Sequence, residues 1–160
     1  MTVDFIAQKL ITPSDLPGWS KDSDEMLIWT NGCFDIIHAG HITYLNACKK
    51  LGGILMVGLN SDESVRRLKG PERPIIHQED RVLHLAAFSF VDYVVVFEED
   101  TPLECIRAVE PDVLVKGGDY RVEDIVGFRE VTNSGGRVLT IPLVEGKSTS
   151  AIIDRIKNDL

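Results

Sequence analysis

At 160 residues, with 44% hydrophobic and 26% charged residues, the chain has the size and balance of one globular domain, and it lacks an apolar run long enough to span a bilayer. A net charge of −8 weighs against a nucleic-acid groove, because phosphate backbones attract basic surfaces, while leaving room for a small anionic ligand held by a few local cations. The start lacks the basic stretch and unbroken apolar run of a secretion signal, and Cys33, Cys48 and Cys105 show neither an even count nor metal-ligand spacing, so reduced thiols in the cytoplasm are expected.

In chain order, residues 1–25 contain Pro13, Pro17 and Gly18 with little periodicity and read as an N-terminal cap on a core spanning 26–160. Apolar runs at 26–29, 54–59, 91–97, 113–115 and 138–141 then alternate with helical patterns, which predicts an α/β fold with a five-stranded parallel sheet flanked by helices. After the first run, Ile42, Leu45 and Cys48 recur at helical spacing with Tyr44 and Leu51 alongside. Gly70, Pro71 and Pro74 mark residues 69–77 as a mobile loop between two helices. Near residue 101 a helix start is signalled by Thr101 as cap, Pro102 in first position and Glu104 completing a capping box, with Leu103, Ile106 and Val109 facing the sheet. The last helix carries Ile152, Ile153, Ile156 and Leu160 on one side, with Asp154, Arg155, Lys157 and Asn158 on the other.

In an open parallel sheet, ligands bind beyond the carboxyl ends of the strands. The segments that follow the first, second, fourth and fifth runs are polar or glycine-rich: 30–41, Asn60 with Ser61 and Asp62, 116–120, and 146–150. The first is the most informative, since His38 and His41 sit at a helix start, where unpaired amides and a partial positive charge favour phosphate. Gly40 between them allows close approach. Either histidine alone would more often be a capping side chain, and the Ser/Thr pair at 148–149 an ordinary N-cap.

The pattern Thr30, Asn31, Gly32, Phe34, Asp35, His38, Gly40, His41, followed by Asn60, Ser61, Asp62 and the run Arg67, Leu68, Lys69, Gly70, resembles the cytidylyltransferase-like branch of the nucleotidyltransferases. Within it, residues 97–102 and the segment Lys116, Gly117, Gly118, Asp119, Tyr120 resemble the heptose 1-phosphate adenylyltransferases. The resemblance runs from residue 26 to the C-terminus and implies a Rossmann-like fold, ATP with Mg²⁺, and transfer of AMP to D-glycero-β-D-manno-heptose 1-phosphate, giving ADP-heptose and pyrophosphate for lipopolysaccharide-type glycan precursors.

The residue types suit that chemistry. The attacking phosphate oxygen is already anionic, so the protein must align two polyanions and neutralise charge rather than supply a strong base. His41 is assigned to the α-phosphate in the transition state, His38 to the neighbouring phosphates, and Lys69 to the triphosphate from its loop. Nucleotide contacts are expected from Thr30, Asn31, Gly32, Phe34, Gly40, Arg81, Lys116, Gly117, Asp119, Gly146, Ser148 and Thr149. Phe34 would also pack under the turn, Asp119 could hold a metal-bound water, and Asp35 and Asn60 are placed at the sugar, with turn capping an equal reading for Asp35. Arg66, Arg67 and Arg73 are read as solvated charges, His77 and His84 as structural, and Cys33 as a small packing residue.

A cytidylyltransferase using CTP and glycerol 3-phosphate remains the rival, because base choice rests on a few backbone contacts. A nucleotide sensor without turnover would be expected to lack a motif histidine or Lys69, and neither is missing. An aminoacyl-tRNA synthetase fragment is disfavoured by the acidic charge. Oligomeric state, a homo-oligomer included, is left open.

Overall fold

Side chains alternate along each apolar run as a sheet covered on both faces demands. Ile28, Leu55, Val57, Leu59, Val94, Val113 and Val115 enter one buried layer, while Leu27, Trp29, Met56, Val95, Phe97 and Leu114 enter the other. The computed structural model describes residues 4–20 and 24–159. Its elements are α1 (Asp4–Ala7), β1 (Leu10–Ile11), a 3-10 helix (Pro13–Gly18), β2 (Leu27–Gly32), α2 (Ala39–Lys49), β3 (Ile54–Asn60), α3 (Asp62–Lys69), α4 (Gln78–Ala86), β4 (Tyr93–Phe97), α5 (Leu103–Val109), β5 (Val113–Gly117), a second 3-10 helix (Val122–Asp124), α6 (Phe128–Asn133), β6 (Arg137–Ile141) and α7 (Thr149–Asp159). None of the described helices is long and apolar enough to cross a membrane.

Among the described residues the sheet has six strands, all parallel, in the order β1-β4-β3-β2-β5-β6. From β2 the chain steps one way through β3 and β4 and then returns to add β5 and β6 on the other side. The order therefore reverses between β3 and β5, beside the end of β2, which is where an open α/β sheet leaves a crevice.

The strand count corrects the expected five. Part of the N-terminal cap supplies β1, whose Leu10 and Ile11 pair with Val94 and Val95. Lys9 ties the edge down, donating from Nζ to the carbonyls of Phe88 at 2.9 Å and Val91 at 2.8 Å. Two residues carry no periodicity, so pairing alone creates this strand. Residues 1–3 and 21–23 of that cap, and Leu160 of the last helix, lie outside the described residues.

Strand ends also shift. β2 continues past its apolar run through Thr30, Asn31 and Gly32, because the parallel ladder continues with Asn31 opposite Gly58 and Gly32 opposite Leu59. Gly58 is required by packing: a Cβ there would stand 2.5 Å from the Trp29 ring.

The helices depart from their local signals in three places. Pro102, not Thr101, occupies the cap of α5, no side-chain cap bond forms, and Glu104 pairs with Arg107 at 2.8 Å instead of closing a capping box. α2 buries Tyr44, Leu45 and Cys48, whereas Ile42 and Leu51 lie on the surface, 40% and 36% exposed. On α7, Ile152 and Ile153 are half-buried but Ile156 is 54% exposed.

Candidate active site

At the carboxyl ends of β2 and β5 the structure opens a cavity of about 580 Å³, within the range of small-molecule sites. Asn31, Gly32, Cys33, Phe34, Asp35 and His41 line it from the β2–α2 turn, with Asn60 beyond β3. Lys69 and Arg73 stand on one wall, Lys116 and Tyr120 on another, and Thr149 and Ser150 close it from the start of α7. Most of the residues singled out by sequence therefore converge, from segments more than a hundred positions apart.

The two histidines divide their tasks. His38 is the N-cap of α2: its Nδ1 accepts from the Gly40 amide at 3.1 Å, satisfying one of the unpaired amides of the helix start. Only His41 lines the cavity. Its ring stacks on His38 with centroids 3.9 Å apart and lies 5.5 Å from the Phe34 ring. The His41 Nδ1 is shut away without a hydrogen-bond partner among the described residues, so Nε2 is the nitrogen that can reach a ligand. Burial first, and then the neighbouring His38, pull the His41 pKa down to about 4 against a weaker upward pull from Asp35. Burial and Lys147 lower that of His38 in the same way. Both rings are thus predominantly neutral at physiological pH and ready to gain a positive charge when an anion arrives.

Gly40 is needed where it stands, although the close neighbour is the protein itself. A Cβ at that position would lie 2.9 Å from the His38 ring and 3.1 Å from Cβ of Lys147.

Asp35 fastens three segments. Its carboxylate accepts from Nε of Arg73 at 2.7 Å and from the amides of Ile75 and Ile76, each at 2.9 Å, while its carbonyl accepts from the Thr149 hydroxyl at 2.7 Å. Burial alone would raise this carboxyl, but the two amides and the guanidinium outweigh it and hold it below the usual carboxylate range. These bonds revise two expectations. The capping reading of Asp35 prevails over the sugar contact, since its side chain is only 1% exposed. The loop read as mobile is pinned along residues 73–76.

Other assignments change for equally local reasons. Lys69 is the last residue of α3 rather than a loop residue, which sets its origin on a helix end. Arg81 cannot serve as a phosphate ligand: it is fully buried and donates to the carbonyls of Ile76, Cys33 and Asn60 and to Asp62. Thr30 is fully buried, its hydroxyl 2.6 Å from that of Tyr44. Gly117 lies outside the cavity lining, and a Cβ there would meet Leu143 at 2.8 Å and Tyr44 at 3.2 Å. Ser148 accepts from the Ala151 amide at 3.1 Å as an ordinary helix-start bond, and neither it nor Gly146 lines the cavity. Asn60 remains at the wall while its amide donates to Ser64 at 2.9 Å.

Arg73 is the main residue that sequence reasoning undervalued. Its side chain is only 18% exposed and lines the cavity. Charge in a proline-containing loop looks solvated until Asp35, 38 positions away, is seen to hold it. Asp100, Thr101 and Pro102 also join the wall, although the sequence marks them only as a helix start and as part of the 97–102 resemblance, without a ligand contact. The carboxyl-end rule reaches them, because they follow β4. Tyr120, Asp124, Ile125 and Val126 enter from the segment after β5.

Cations surround the β2–α2 turn. Burial raises the Cys33 thiol above its ordinary value even though Lys69, Arg81, Arg73 and Lys116 oppose the shift. It therefore stays protonated and is a poor nucleophile. Burial lowers the Lys116 ammonium, and Lys69 adds to this while Cys33 opposes it. The two lysines are near enough to repel each other.

A divalent cation would find little protein to hold it. No group of three His, Cys, Asp or Glu forms a metal cage among the described residues. Of the cavity carboxylates, Asp35 is taken by Arg73 and Asp100 by Arg67. Asp124 stands exposed in the wall, whereas Asp119 is exposed outside it. One available carboxylate fits Mg²⁺ held mainly by substrate phosphates and water, and it favours Asp124 over Asp119.

The chain has well-defined relatives. The bifunctional protein HldE of Trichlorobacter lovleyi is 52% identical over 143 residues, which make up 89% of this chain and 29% of that protein. HldE of Syntrophotalea carbinolica is 57% identical over 130 residues, 81% of this chain and 26% of that protein. This chain thus spans less than a third of the length of either. Among solved structures, the lipopolysaccharide core biosynthesis protein from Thermoplasma volcanium has a TM-score of 0.62 at 27% identity, covering 77% of this chain and 99% of that one. Pantoate-beta-alanine ligase from Francisella tularensis also has a TM-score of 0.62, at 12% identity, covering 88% of this chain and 68% of that one, a likeness of fold alone. A family model described as cytidylyltransferase-like matches residues 29–155, most of the chain and all of the cavity's main walls, and the chain belongs to that family.

Proposed function

We propose that the chain transfers AMP from ATP to D-glycero-β-D-manno-heptose 1-phosphate, producing ADP-heptose and pyrophosphate. The observation that carries this reading is the convergence of neutral His41 with Lys69, Arg73 and Lys116 around one cavity at the point where strand order reverses. The choice of acceptor draws on the motif resemblance at residues 97–102 and 116–120 and on the identity of more than half with HldE.

In this reaction an anionic oxygen of the sugar phosphate attacks the α-phosphorus of ATP. A new P–O bond forms as the bond to the bridging oxygen breaks, and pyrophosphate leaves with that electron pair. No proton has to be removed from the nucleophile. The Nε2 of His41 donates to the α-phosphate, and its hydrogen bond strengthens as negative charge gathers there. Lys69 and Lys116 oppose the charge on the triphosphate from two walls. His38 holds the start of α2 and the stacked face of His41, so it acts on the reaction through them. Mg²⁺ arriving with ATP would supply further charge neutralisation, with Asp124 the available carboxylate. The reading places the chain in the cytoplasm, where ATP is supplied.

Pyrophosphate release with ATP or CTP and a panel of sugar 1-phosphates and glycerol 3-phosphate tests the assignment. ATP turnover with the heptose phosphate supports it. Strict use of CTP, or turnover with glycerol 3-phosphate alone, would overturn it.

A further inference from the structure

A second cavity, of about 690 Å³, lies between residues 70–75 and α7. Lys69, Arg73 and Ser150 belong to both cavity walls, so the two spaces adjoin at two cations and a hydroxyl. Glu72, Asp154 and Lys157 line the remainder of its polar surface. Its volume suits a small molecule, and the nucleotide chemistry described above leaves it unused.

Arg73 marks the junction. Its Nε is fixed by the buried Asp35, yet its two terminal nitrogens have no protein partner among the described residues. A guanidinium held by one edge with its fork left open is suited to gripping a phosphate through two parallel hydrogen bonds. Around the second cavity, Asp154 and Ser150 can exchange hydrogen bonds with hydroxyl groups. Glu72 and Lys157 stand 3.7 Å apart with side chains 86% and 64% exposed, a loose pair that a polar ligand can displace at small cost.

In-line displacement imposes a further condition. The acceptor phosphate must approach the α-phosphorus from the side opposite the departing pyrophosphate, so the acceptor's body needs space of its own next to the reacting end. We propose that the second cavity is the acceptor subsite, with Arg73 holding the phosphate of a sugar phosphate and Asp154 and Ser150 binding hydroxyls of its body. This rests on the adenylyl-transfer reading. It gives Arg73 and α7 the task of choosing a phosphorylated polyol, while Lys116 and the β2–α2 turn handle the nucleotide.

The test is steady-state kinetics of Arg73→Lys and Asp154→Ala with each substrate varied in turn, alongside their melting temperatures. Arg73→Lys keeps the charge and loses the fork, and its KM for heptose 1-phosphate is expected to rise about tenfold or more. Asp154 sits on an exposed helix face, so Asp154→Ala should fold normally and raise the same KM about fivefold. In both, the KM for ATP should stay within about twofold. If the unsubstituted chain is active and both variants keep the acceptor KM, or show the rise in the KM for ATP instead, the subsite is wrong and the adenylyl-transfer reading stands. If the unsubstituted chain turns over no sugar 1-phosphate, that reading falls and the subsite with it.

Discussion

The imidazoles of His38 and His41 stack with centroids 3.9 Å apart and an interplanar angle of 25°, yet only His41 faces the cavity. One ring caps the helix and supports the other. Two histidines that look equivalent in the sequence therefore predict different mutant behaviour.

Replacing His41 by Ala should lower kcat by about 100-fold or more while the KM for ATP changes by less than about fivefold, since its contact grows only as charge develops. Replacing His38 by Asn, which can cap in its place, should cost much less in kcat. Equal losses in kcat from the two variants would show that His38 also touches the reacting phosphates.

Acid stability should carry the signature of the same pair. The folded His41 pKa of about 4 lies below its ordinary 6.5, so the unfolded chain binds more protons between these values and stability falls as pH drops through that window. His38 is shifted in the same direction. Allowing for partial solvent screening, the His41 contribution is about 1–2 kcal/mol. Urea midpoints at pH 7 and pH 4.5 should converge in His41→Asn relative to the unsubstituted chain. An unchanged pH dependence would contradict the depressed pKa. Asp35 and Asp62, whose pKa values are lowered, add their loss only at lower pH, below the ordinary carboxylate value of 3.8.

Arg81 should behave as a brace. Arg81→Ala leaves Asp62 and three backbone carbonyls without their buried donor, a loss of about 3–5 kcal/mol in chemical denaturation. Arg81→Lys should recover part of it, because one ammonium cannot reach all four partners. A variant that melts normally but binds ATP weakly would return Arg81 to the phosphate site.

Tyr44→Phe tests the closed face of Thr30. The substitution removes the partner of a fully buried hydroxyl and should cost about 1 kcal/mol, with the KM for ATP unchanged. An increase in that KM would mean that Thr30 reaches the nucleotide after all.

Asp35→Ala should be among the more damaging single changes outside the sheet. It leaves Arg73 and two amides unpaired and frees residues 73–76, with an expected loss of about 3 kcal/mol by urea denaturation. Faster amide hydrogen exchange at Ile75 and Ile76 should accompany it. Protection at those two amides equal to that of the unsubstituted chain would argue against the latch.

Local physics was enough to read much of this protein from its chain. Apolar runs long enough to be buried on both faces announced five strands, and polar residues following them announced the edge where the main cavity opens, because a parallel sheet directs those ends to one side. The motif from Thr30 to His41 pointed to a turn at a helix start, and that turn does line the main cavity. Tertiary structure decided which of these side chains remain available. Thr30, Asp35 and Arg81 carry the right chemical groups, but each hydrogen-bonds to residues 14 or more positions away, in contacts no local pattern reveals. Arg73 went the opposite way, from an apparent surface charge to a guanidinium fixed at the meeting point of two cavities, because buried Asp35 needed a cation. β1 likewise exists only through its pairing with β4. Spacing along the chain specifies which groups can do the chemistry, whereas burial and partner geometry determine which of them are left free to do it.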